Sequence, residues 1–253
     1  RPETKLIYSE VFANPTLNIA DIPALAEIAH KNGALLMIDN TFSSPIAIKP
    51  IKFGADIVIN SMTKFMNGHS DAIAGSITST EEIIDAIHPV RMLCGTPGDP
   101  HAAHTMMKSF ATMDLRLKKQ MASAAKLAKA LEENKYVSKV NHPSLESFKH
   151  HKLALELFGS NETMSGMISF IVPEDPEKID KFMLKLNFAH YAMTLGGIRT
   201  TLVHPVTSSH SHMPDEARRA MGITPGLFRL SVGIEDVDDL IADFNQALEV
   251  FGE

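Results

Sequence analysis

The 253-residue sequence predicts an α/β fold, with a mostly parallel sheet in its first part and a smaller α+β domain at its end. Two observations support this prediction. Early in the chain, short runs that are apolar on both faces, as in buried parallel strands, alternate with a segment of helical spacing. After Asn141-His142-Pro143 a second series of strands and amphipathic helices begins.

The first elements are a strand and a helix. An apolar, β-forming run covers residues 6–12 and ends at the turn signal Asn14-Pro15-Thr16. Asp21 is a good N-cap for a helix with apolar residues at helical spacing. Asn32-Gly33 is the signal that ends this helix.

Three further strands follow in the first part. Residues 34–38 are continuously apolar and end at Asp39, residues 57–59 form the next apolar run, and residues 75–78 form another. Strand, helix, strand and strand in this order favour an α/β sheet with right-handed crossovers.

The middle of the chain predicts a loop and then a helical region. Residues 89–100 are rich in proline and glycine, which favours a loop, and residues 102–134 have helical spacing, as one long or one broken helix. The later elements are predicted as strands over 167–172, near Met193 and over 228–232, and helices over 176–185 and 237–251. We therefore predict a large domain over 1–115, a connecting helix over 116–134 and a small domain over 135–253.

Composition excludes several classes of function. A net charge of −6 and a pI near 6.1 leave no basic stretch that could neutralise the phosphates of a nucleic acid. No run approaches the roughly 18 apolar residues of a membrane helix. The chain opens without a signal peptide and has one cysteine, Cys94, so a reducing, cytoplasmic setting is expected.

Lys64 is the strongest candidate for chemistry. It follows the apolar run at 57–59 and lies close to the hydroxyls of Ser61 and Thr63. Partial burial favours the neutral, nucleophilic amine, which can form an imine with an aldehyde cofactor, and the hydroxyls suit a phosphate. Alternatively, Lys64 is a solvated lysine and the hydroxyls belong to an ordinary turn.

Asp39 closes the preceding strand. Ligands bind at the carboxyl ends of strands in open α/β sheets, and adjacent parallel strands would bring Asp39 and Lys64 to one edge. A carboxylate there can cap a helix or face a cationic atom such as a pyridinium nitrogen, which must stay protonated to accept electrons.

Arg229 and four of the histidines can each be interpreted as functional or as structural residues. Arg229 lies between Phe228 and Leu230 on a predicted strand, where it is either an amphipathic edge residue or a fork for a carboxylate. His101, His104, His210 and His212 are not accompanied by acidic or thiol ligands at zinc spacing, so no metal site is predicted.

Several motifs in order along the chain resemble the Cys/Met-metabolism family of pyridoxal-phosphate (PLP) enzymes. They are Asn14-Pro15-Thr16, Asp39-Asn40-Thr41-Phe42, residues 54–58, the lysine motif at 61–71, Leu195-Gly196-Gly197, His204-Pro205 and residues 228–236. The resemblance implies an aspartate-aminotransferase-like fold of type I. It also implies a homotetramer built as a dimer of dimers.

The resemblance also implies roles for the cofactor-binding residues. Lys64 resembles the Schiff-base lysine that also moves the proton, and Asp39 resembles the partner of the pyridine nitrogen. Ser61 and Thr63 match the phosphate contacts. Asn14 matches a residue near both the cofactor's 3-hydroxyl and the substrate carboxylate.

For the substrate, Arg229 resembles the carboxylate clamp, with Thr194 assisting. Two positions depart from the family pattern. Thr194 stands where a serine is usual and keeps the hydroxyl, whereas Arg199 stands where a glutamate is common and reverses the charge. The second departure affects the preference among sulfur substrates.

The implied activity is that of a lyase acting on a sulfur amino acid, by γ-elimination from methionine or cystathionine. The first alternative is a γ-replacement enzyme, such as cystathionine γ-synthase or an O-acylhomoserine sulfhydrylase. The second is a non-catalytic subunit or fragment that keeps the fold, because the family's N-terminal third has no counterpart in this chain. We therefore expect a piece of a longer enzyme with part of the cofactor pocket.

Overall fold

The structure is a computed structural model that describes residues 1–96 and 98–253. The chain divides into two compact units. Unit 1 consists of Arg1–Phe12 and Ile19–Asp114, and unit 2 consists of Ala13–Asn18 and Leu115–Glu253. The predicted domain limits, which place a connecting helix at 116–134, stay a prediction.

Unit 1 is built on a four-stranded sheet. Its strands lie in sequence order and are β1 (Leu6–Glu10), β2 (Leu35–Asp39), β3 (Ile57–Ser61) and β4 (Gly75–Thr78). The first three strands are parallel, and β4 is antiparallel to β3. Leu36 and Ile38 on β2 are fully buried, as expected for a strand with other strands on both sides. The mostly parallel sheet is thereby confirmed.

Among the helices of unit 1, the one after Asp21 follows the predicted capping signals, whereas those at 44–47 and 81–93 have no counterpart in the prediction. They are α1 (Ile22–Lys31), α2 (Ser44–Ala47), α3 (Glu81–Leu93) and α4 (Pro100–Phe110), with a 3-10 turn at Pro50–Phe53. The Asp21 side chain caps α1 by accepting from the Ala24 N–H at 3.1 Å. Asn32 follows as the C-cap, and Gly33 has φ +66°, a conformation that glycine adopts without strain.

The predicted loop over 89–100 is wrong at its start, because α3 continues through Pro89 to Leu93. A proline removes one backbone hydrogen bond from a helix, and the following turn is closed here by the Cys94 N–H, which donates to Val90 O at 2.9 Å. The rest of the predicted loop includes Pro97, which lies outside the described residues.

Unit 2 contains a five-stranded sheet in the order β5-β6-β9-β8-β7. Its strands are β5 (Lys139–Asn141), β6 (Met167–Ile171), β7 (His190–Tyr191), β8 (Thr201–Val203) and β9 (Leu227–Ser231). The pairs are antiparallel except β7 with β8. The strand predicted near Met193 therefore ends earlier, at Tyr191.

Helices complete unit 2, together with 3-10 turns at Pro205–Thr207 and Glu249–Gly252. The helices are α5 (Met113–Glu132), α6 (His151–Phe158), α7 (Pro176–Lys185), α8 (Asp215–Ala220) and α9 (Val237–Leu248). The helical spacing over 102–134 therefore corresponds to a broken helix, with α4 ending at Phe110 and α5 beginning at Met113.

Aromatic rings form the centre of the unit 2 core. Phe170 on β6 and Phe228 on β9 stack with centroids 5.6 Å apart. Phe182 of α7 and Phe244 of α9 meet the Phe170 ring edge-on, at 6.3 and 6.0 Å. All of these rings are at most 1% exposed, so this packing fixes α7 and α9 on one face of the sheet.

Candidate functional site

The carboxyl ends of β2 and β3 meet at one edge of the unit 1 sheet. Asp39 is the last residue of β2 and pairs in register with Ile59, and Ser61 is the last residue of β3. The backbone N–H of Lys64 donates to Ser61 O at 3.2 Å, which keeps the lysine in the turn that follows the strand. The adjacent-strand argument predicts this convergence of Asp39 with the lysine turn, and the structure shows it.

The Asp39 carboxylate is oriented from two directions. The Thr41 N–H donates to Oδ1 at 2.8 Å, and the Tyr8 hydroxyl donates to Oδ2 over a longer distance of 3.4 Å. Thr41 also accepts the Ser61 N–H on its own hydroxyl at 2.8 Å. It therefore ties the end of β2 to the end of β3, although sequence reasoning assigned it no role.

The amine of Lys64 makes no hydrogen bond or ion pair with any residue in the described part of the chain, and the Ser61 hydroxyl makes no hydrogen bond there either. Thr63 differs. Its hydroxyl donates to Ala74 O at 3.3 Å and accepts the Ala74 N–H at 3.1 Å. Contact between Thr63 and a phosphate would therefore require its proton to leave Ala74.

A buried network holds the lysine turn in place. Asn67 is fully buried, and its Nδ2 donates to Asp71 Oδ1 at 2.9 Å. Its Oδ1 accepts from the Ser109 hydroxyl of α4 at 2.8 Å. The Asn67 carbonyl also accepts from His69 Nδ1 at 2.7 Å, which identifies the nitrogen that carries the His69 proton. The lysine motif contains Asn67, but nothing in the sequence points to Ser109.

In unit 2, Arg229 lies within β9 and is 5% exposed. Its Nη1 donates to Asn14 Oδ1 at 3.1 Å, and its Nη2 donates to Met193 O at 3.0 Å. The Nε–H is buried and has no hydrogen-bond partner in the described part of the chain. The structure thus brings together two of the predicted substrate-binding residues, Asn14 and Arg229.

The charge of Arg229 is poorly compensated. Both of its hydrogen-bond partners are neutral, and it forms no ion pair within residues 1–96 and 98–253. Burial lowers the pKa of Arg229 to about 10, so the guanidinium is still cationic at neutral pH. Burial, and secondarily the positive charge of Arg229, also lowers the pKa of His210. An anion beside Arg229 would offset this cost.

The segment over residues 193–197, here called the Thr194 segment, is held to the rest of unit 2 by hydrogen bonds. The Thr194 side chain is exposed, and its carbonyl accepts from the Thr201 hydroxyl at 3.1 Å. The Gly196 N–H donates to Ser231 Oγ at 2.8 Å. Gln120 of α5 is fully buried and donates to Gly197 O at 2.7 Å and to Val232 O at 2.8 Å. Sequence reasoning missed Gln120 and Ser231.

In the part of the chain that the structure describes, no group of three or more His, Cys, Asp or Glu side chains is arranged to hold a metal ion. Cys94 is exposed. Among the described residues, no helix combines the length and the apolar character that crossing a bilayer requires.

One protein family matches almost the whole chain. The family described as Cys/Met metabolism PLP-dependent enzyme matches residues 1–249. The chain belongs to this family. Its members are enzymes that depend on PLP, so the resemblance found in the motifs is confirmed.

Curated relatives point in the same direction. The chain is 40% identical to cystathionine beta-lyase MetC of Staphylococcus haemolyticus, over 100% of this chain and 63% of that protein. It is 36% identical to L-methionine gamma-lyase of Fusobacterium nucleatum, over 98% of this chain and 63% of that protein. It is 38% identical to cystathionine gamma-lyase of Bacillus subtilis, over 98% of this chain and 65% of that protein.

A solved structure confirms the fold. Cystathionine gamma synthase from Xanthomonas oryzae superposes with a TM-score of 0.93 at 34% identity, over 98% of this chain and 64% of that chain. The predicted type I fold is therefore confirmed. The chain spans about 63% of the length of the first curated relatives that it matches.

The residues at the unit 1 sheet edge fit PLP chemically. A carboxylate accepts about four hydrogen bonds, and Asp39 receives one on each oxygen from the chain, so it can still accept from a protonated ring nitrogen. The Lys64 amine and the Ser61 hydroxyl are both available to an aldehyde and a phosphate. The donor set therefore suits the cofactor that the family uses.

Proposed function

We propose that the protein is a PLP-dependent C–S lyase of sulfur amino-acid metabolism, acting on methionine or cystathionine by γ-elimination. The observation that carries this proposal is the amine of Lys64, which has no hydrogen-bond or ion-pair partner among the described residues and follows β3 at the sheet edge where Asp39 ends β2. Membership of the family and the named activities of the relatives support it.

Each residue has a separate task in this proposal. Asp39 would keep the pyridine nitrogen of bound PLP protonated, Ser61 and Thr63 would bind its phosphate, and Lys64 would bind its aldehyde carbon. Bound PLP supplies the electron sink that makes the substrate's Cα proton acidic. Lys64 Nζ takes that proton and returns it later as a general acid.

The substrate is held by its carboxylate. Arg229 presents Nη1, Nη2 and Nε–H, and a carboxylate accepts from such a planar fork with two parallel hydrogen bonds. Asn14 keeps Nη1 in position and also lies near the carboxylate, with Thr194 assisting. In the overall reaction the C–S bond breaks, the thiol leaves with a proton, and water completes the release of ammonia and an α-keto acid.

A γ-replacement enzyme is the second candidate. The likeness to cystathionine gamma synthase supports it, because that structure superposes on the chain with a TM-score of 0.93 at 34% identity. Arg199 is exposed, in the position where the family pattern commonly has glutamate, and a cation there would suit a substrate with a second anionic group. The two activities share Lys64, Asp39 and Arg229 and differ in the fate of the γ-carbon.

Absorption spectroscopy tests the cofactor assignment. Purified protein mixed with PLP should become yellow, and Lys64→Ala should lose the visible band that depends on the lysine. Lys118→Ala, at a lysine of α5 in unit 2, is the matched control and should keep the band. Protein that stays colourless with added PLP would refute the enzyme and favour a non-catalytic subunit.

Substrate assays separate the two enzyme classes. Release of α-keto acid should be measured from methionine, cystathionine and an O-acylhomoserine in separate reactions. A lyase releases keto acid from methionine or cystathionine without a second thiol. Product formation only from O-acylhomoserine with a thiol present would identify the replacement enzyme instead.

We also propose that the protein works in the cytoplasm as a homotetramer. The single cysteine suits a reducing compartment, and the family resemblance suggests the assembly. Sedimentation of the protein at micromolar concentration measures the assembly, and a monomer at that concentration would contradict it.

A further inference from the structure

We infer that Gln120 is a positioning residue for substrate binding: it locks the Thr194 segment to the end of the strand that carries Arg229. This inference rests on the proposed role of Arg229 as the carboxylate clamp. Gln120 lies on α5, and its hydrogen bonds go to the backbone oxygens of Gly197 and Val232 rather than to the cofactor residues or the guanidinium. It acts through the backbone that surrounds the clamp.

The Gln120 amide group donates two hydrogen bonds to two different backbone stretches. One amide nitrogen of Gln120 donates to Gly197 O at 2.7 Å and to Val232 O at 2.8 Å. Gly197 ends the Thr194 segment, and Val232 is the first residue after β9. A single side chain therefore joins the two backbone stretches; both bonds are short, and the one to Val232 is buried whereas the one to Gly197 is partly buried.

A second bond joins the same two stretches. Ser231, the last residue of β9, is 1% exposed and accepts the Gly196 N–H on Oγ at 2.8 Å. At the other end of the segment, Met193 O accepts from Arg229 Nη2 at 3.0 Å. The Thr194 segment thus orients the guanidinium directly, and Gln120 and Ser231 determine where that segment lies.

The unpaired oxygen of Gln120 shows that the lock has one orientation. Its Oε1 is buried and accepts no hydrogen bond from any residue that the structure describes. Rotating the amide by 180° would place Oε1 against two carbonyl oxygens and leave both without a donor, which is more costly than one orphan acceptor. The side chain therefore keeps its donors on Gly197 and Val232.

The experiment uses Gln120→Met, which keeps the side-chain volume and removes both donors. We expect amide hydrogen exchange in a peptide covering residues 193–200 to accelerate about tenfold, since both of these hydrogen bonds are lost. Binding of L-methionine to the PLP-loaded protein, followed by the visible spectrum, should weaken about tenfold, whereas the affinity for PLP should not change.

Gln246→Met is the matched control. Gln246 is an exposed glutamine of α9 whose Nε2 donates to Lys185 O at 2.7 Å, far from the Thr194 segment in the sequence. It should leave exchange over 193–200 and methionine binding as in the unchanged protein. If Gln120→Met does not fold, Ser231→Ala removes the neighbouring bond with a smaller change and should also accelerate exchange over 193–200.

The outcomes are distinct. Unchanged exchange over 193–200 in folded Gln120→Met, or in Ser231→Ala, would overturn the lock. Faster exchange with unchanged methionine affinity would overturn the positioning role, and the proposed function would stand if Arg229→Ala still weakened binding. If Arg229→Ala had no effect on methionine affinity, the clamp and the inference that depends on it would both fail.

Discussion

The buried charge of Arg229 has an unfavourable desolvation free energy that no counter-charge among the described residues offsets. It is buried on a central strand and donates to two neutral acceptors, and its Nε–H has no partner within residues 1–96 and 98–253. Proteins seldom bury a charge without a counter-charge unless a ligand supplies it. The residue is thus better explained by the anion it would bind than by the stability it adds.

Arg229→Lys should separate charge from geometry. Lysine keeps the positive charge and loses the planar fork, so we expect KM for the amino acid to rise about tenfold with little change in kcat. Steady-state kinetics with methionine or cystathionine measure this. Arg219→Lys, in an exposed pair with Glu174, is the control, and an unchanged KM in Arg229→Lys would contradict the clamp.

Asn67→Ala should destabilise unit 1. The change removes both bonds of a fully buried amide and leaves Ser109 and Asp71 without that partner, which costs about 2–3 kcal/mol. Urea unfolding followed by circular dichroism measures the loss. Asn32→Ala, at an exposed C-cap, should cost less, and a loss below about 0.5 kcal/mol in Asn67→Ala would show that the network does not hold the lysine turn.

For single residues, the sequence predicts those that lie next to strand ends and misses the residues that hydrogen-bond to them or hold their surroundings in place. Asp39 and Lys64 follow from where two apolar runs stop. Thr41, Ser109 and Gln120 do not, because their partners lie 20, 42, 77 and 112 residues away along the chain. A polar residue inside a helical segment has no local signal that distinguishes a buried anchor from a surface side chain.

Helix α5 illustrates the same limit for a whole element. Leu117, Met121 and Leu127 lie at the apolar positions of its helical spacing and are buried, whereas Leu115 at another such position is exposed. The same helix also buries Arg116, Gln120 and Ser123, which a pattern of apolar and polar residues assigns to the surface. The element is predictable from periodicity, but the width of its buried face depends on what packs against it.

The strand β9 makes a close contact at the glycine that precedes it. A Cβ on Gly226 would lie 2.0 Å from the backbone oxygen of Val172, which cannot move without breaking the adjoining pairing of β6 with β9. Gly226→Ala should therefore destabilise unit 2 by about 2–3 kcal/mol. Gly98→Ala has open space around its Cβ and should be nearly neutral in the same urea titration. Equal stabilities of the two variants would contradict the close contact.

For the whole molecule, one buried histidine links stability to acid. His142 is fully buried, its Nε2–H donates to Ser165 O at 3.1 Å, and Nδ1 faces the Ser144 hydroxyl at 2.7 Å. Burial lowers the pKa of His142 to about 4, and the hydrogen bond to Ser165 opposes that shift in part. The folded protein therefore keeps a neutral ring while the unfolded chain takes up a proton.

His142→Gln tests this linkage. Because the pKa is lower in the folded state, the contribution of His142 is complete above about pH 6.5 and is lost as the pH falls towards 4, by about 3 kcal/mol. Urea unfolding at pH 7, 5.5 and 4 measures the free energy of unfolding of both proteins. Between pH 7 and pH 4 the unchanged protein should lose about 3 kcal/mol more of this free energy than the glutamine variant. Parallel pH profiles would show that His142 does not titrate in this way.

The fold class of the whole chain is the level at which sequence reasoning succeeds most fully. Buried parallel strands and a later antiparallel sheet follow from apolar runs and their order, and the structure and the superposed relative both confirm them. The extent of α3 could not be predicted, because Pro89 is a stop signal locally and a tolerated residue in the helix that formed.

The assignment of Ala13–Asn18 to unit 2 has a practical consequence. Preparing unit 2 as a separate piece therefore takes more than one contiguous stretch of the gene. A product of residues 115–253 alone would lack Asn14 and leave Nη1 of Arg229 without its acceptor. Dissecting the molecule into working modules requires a circularly permuted or fused gene that returns this hexapeptide to the arginine.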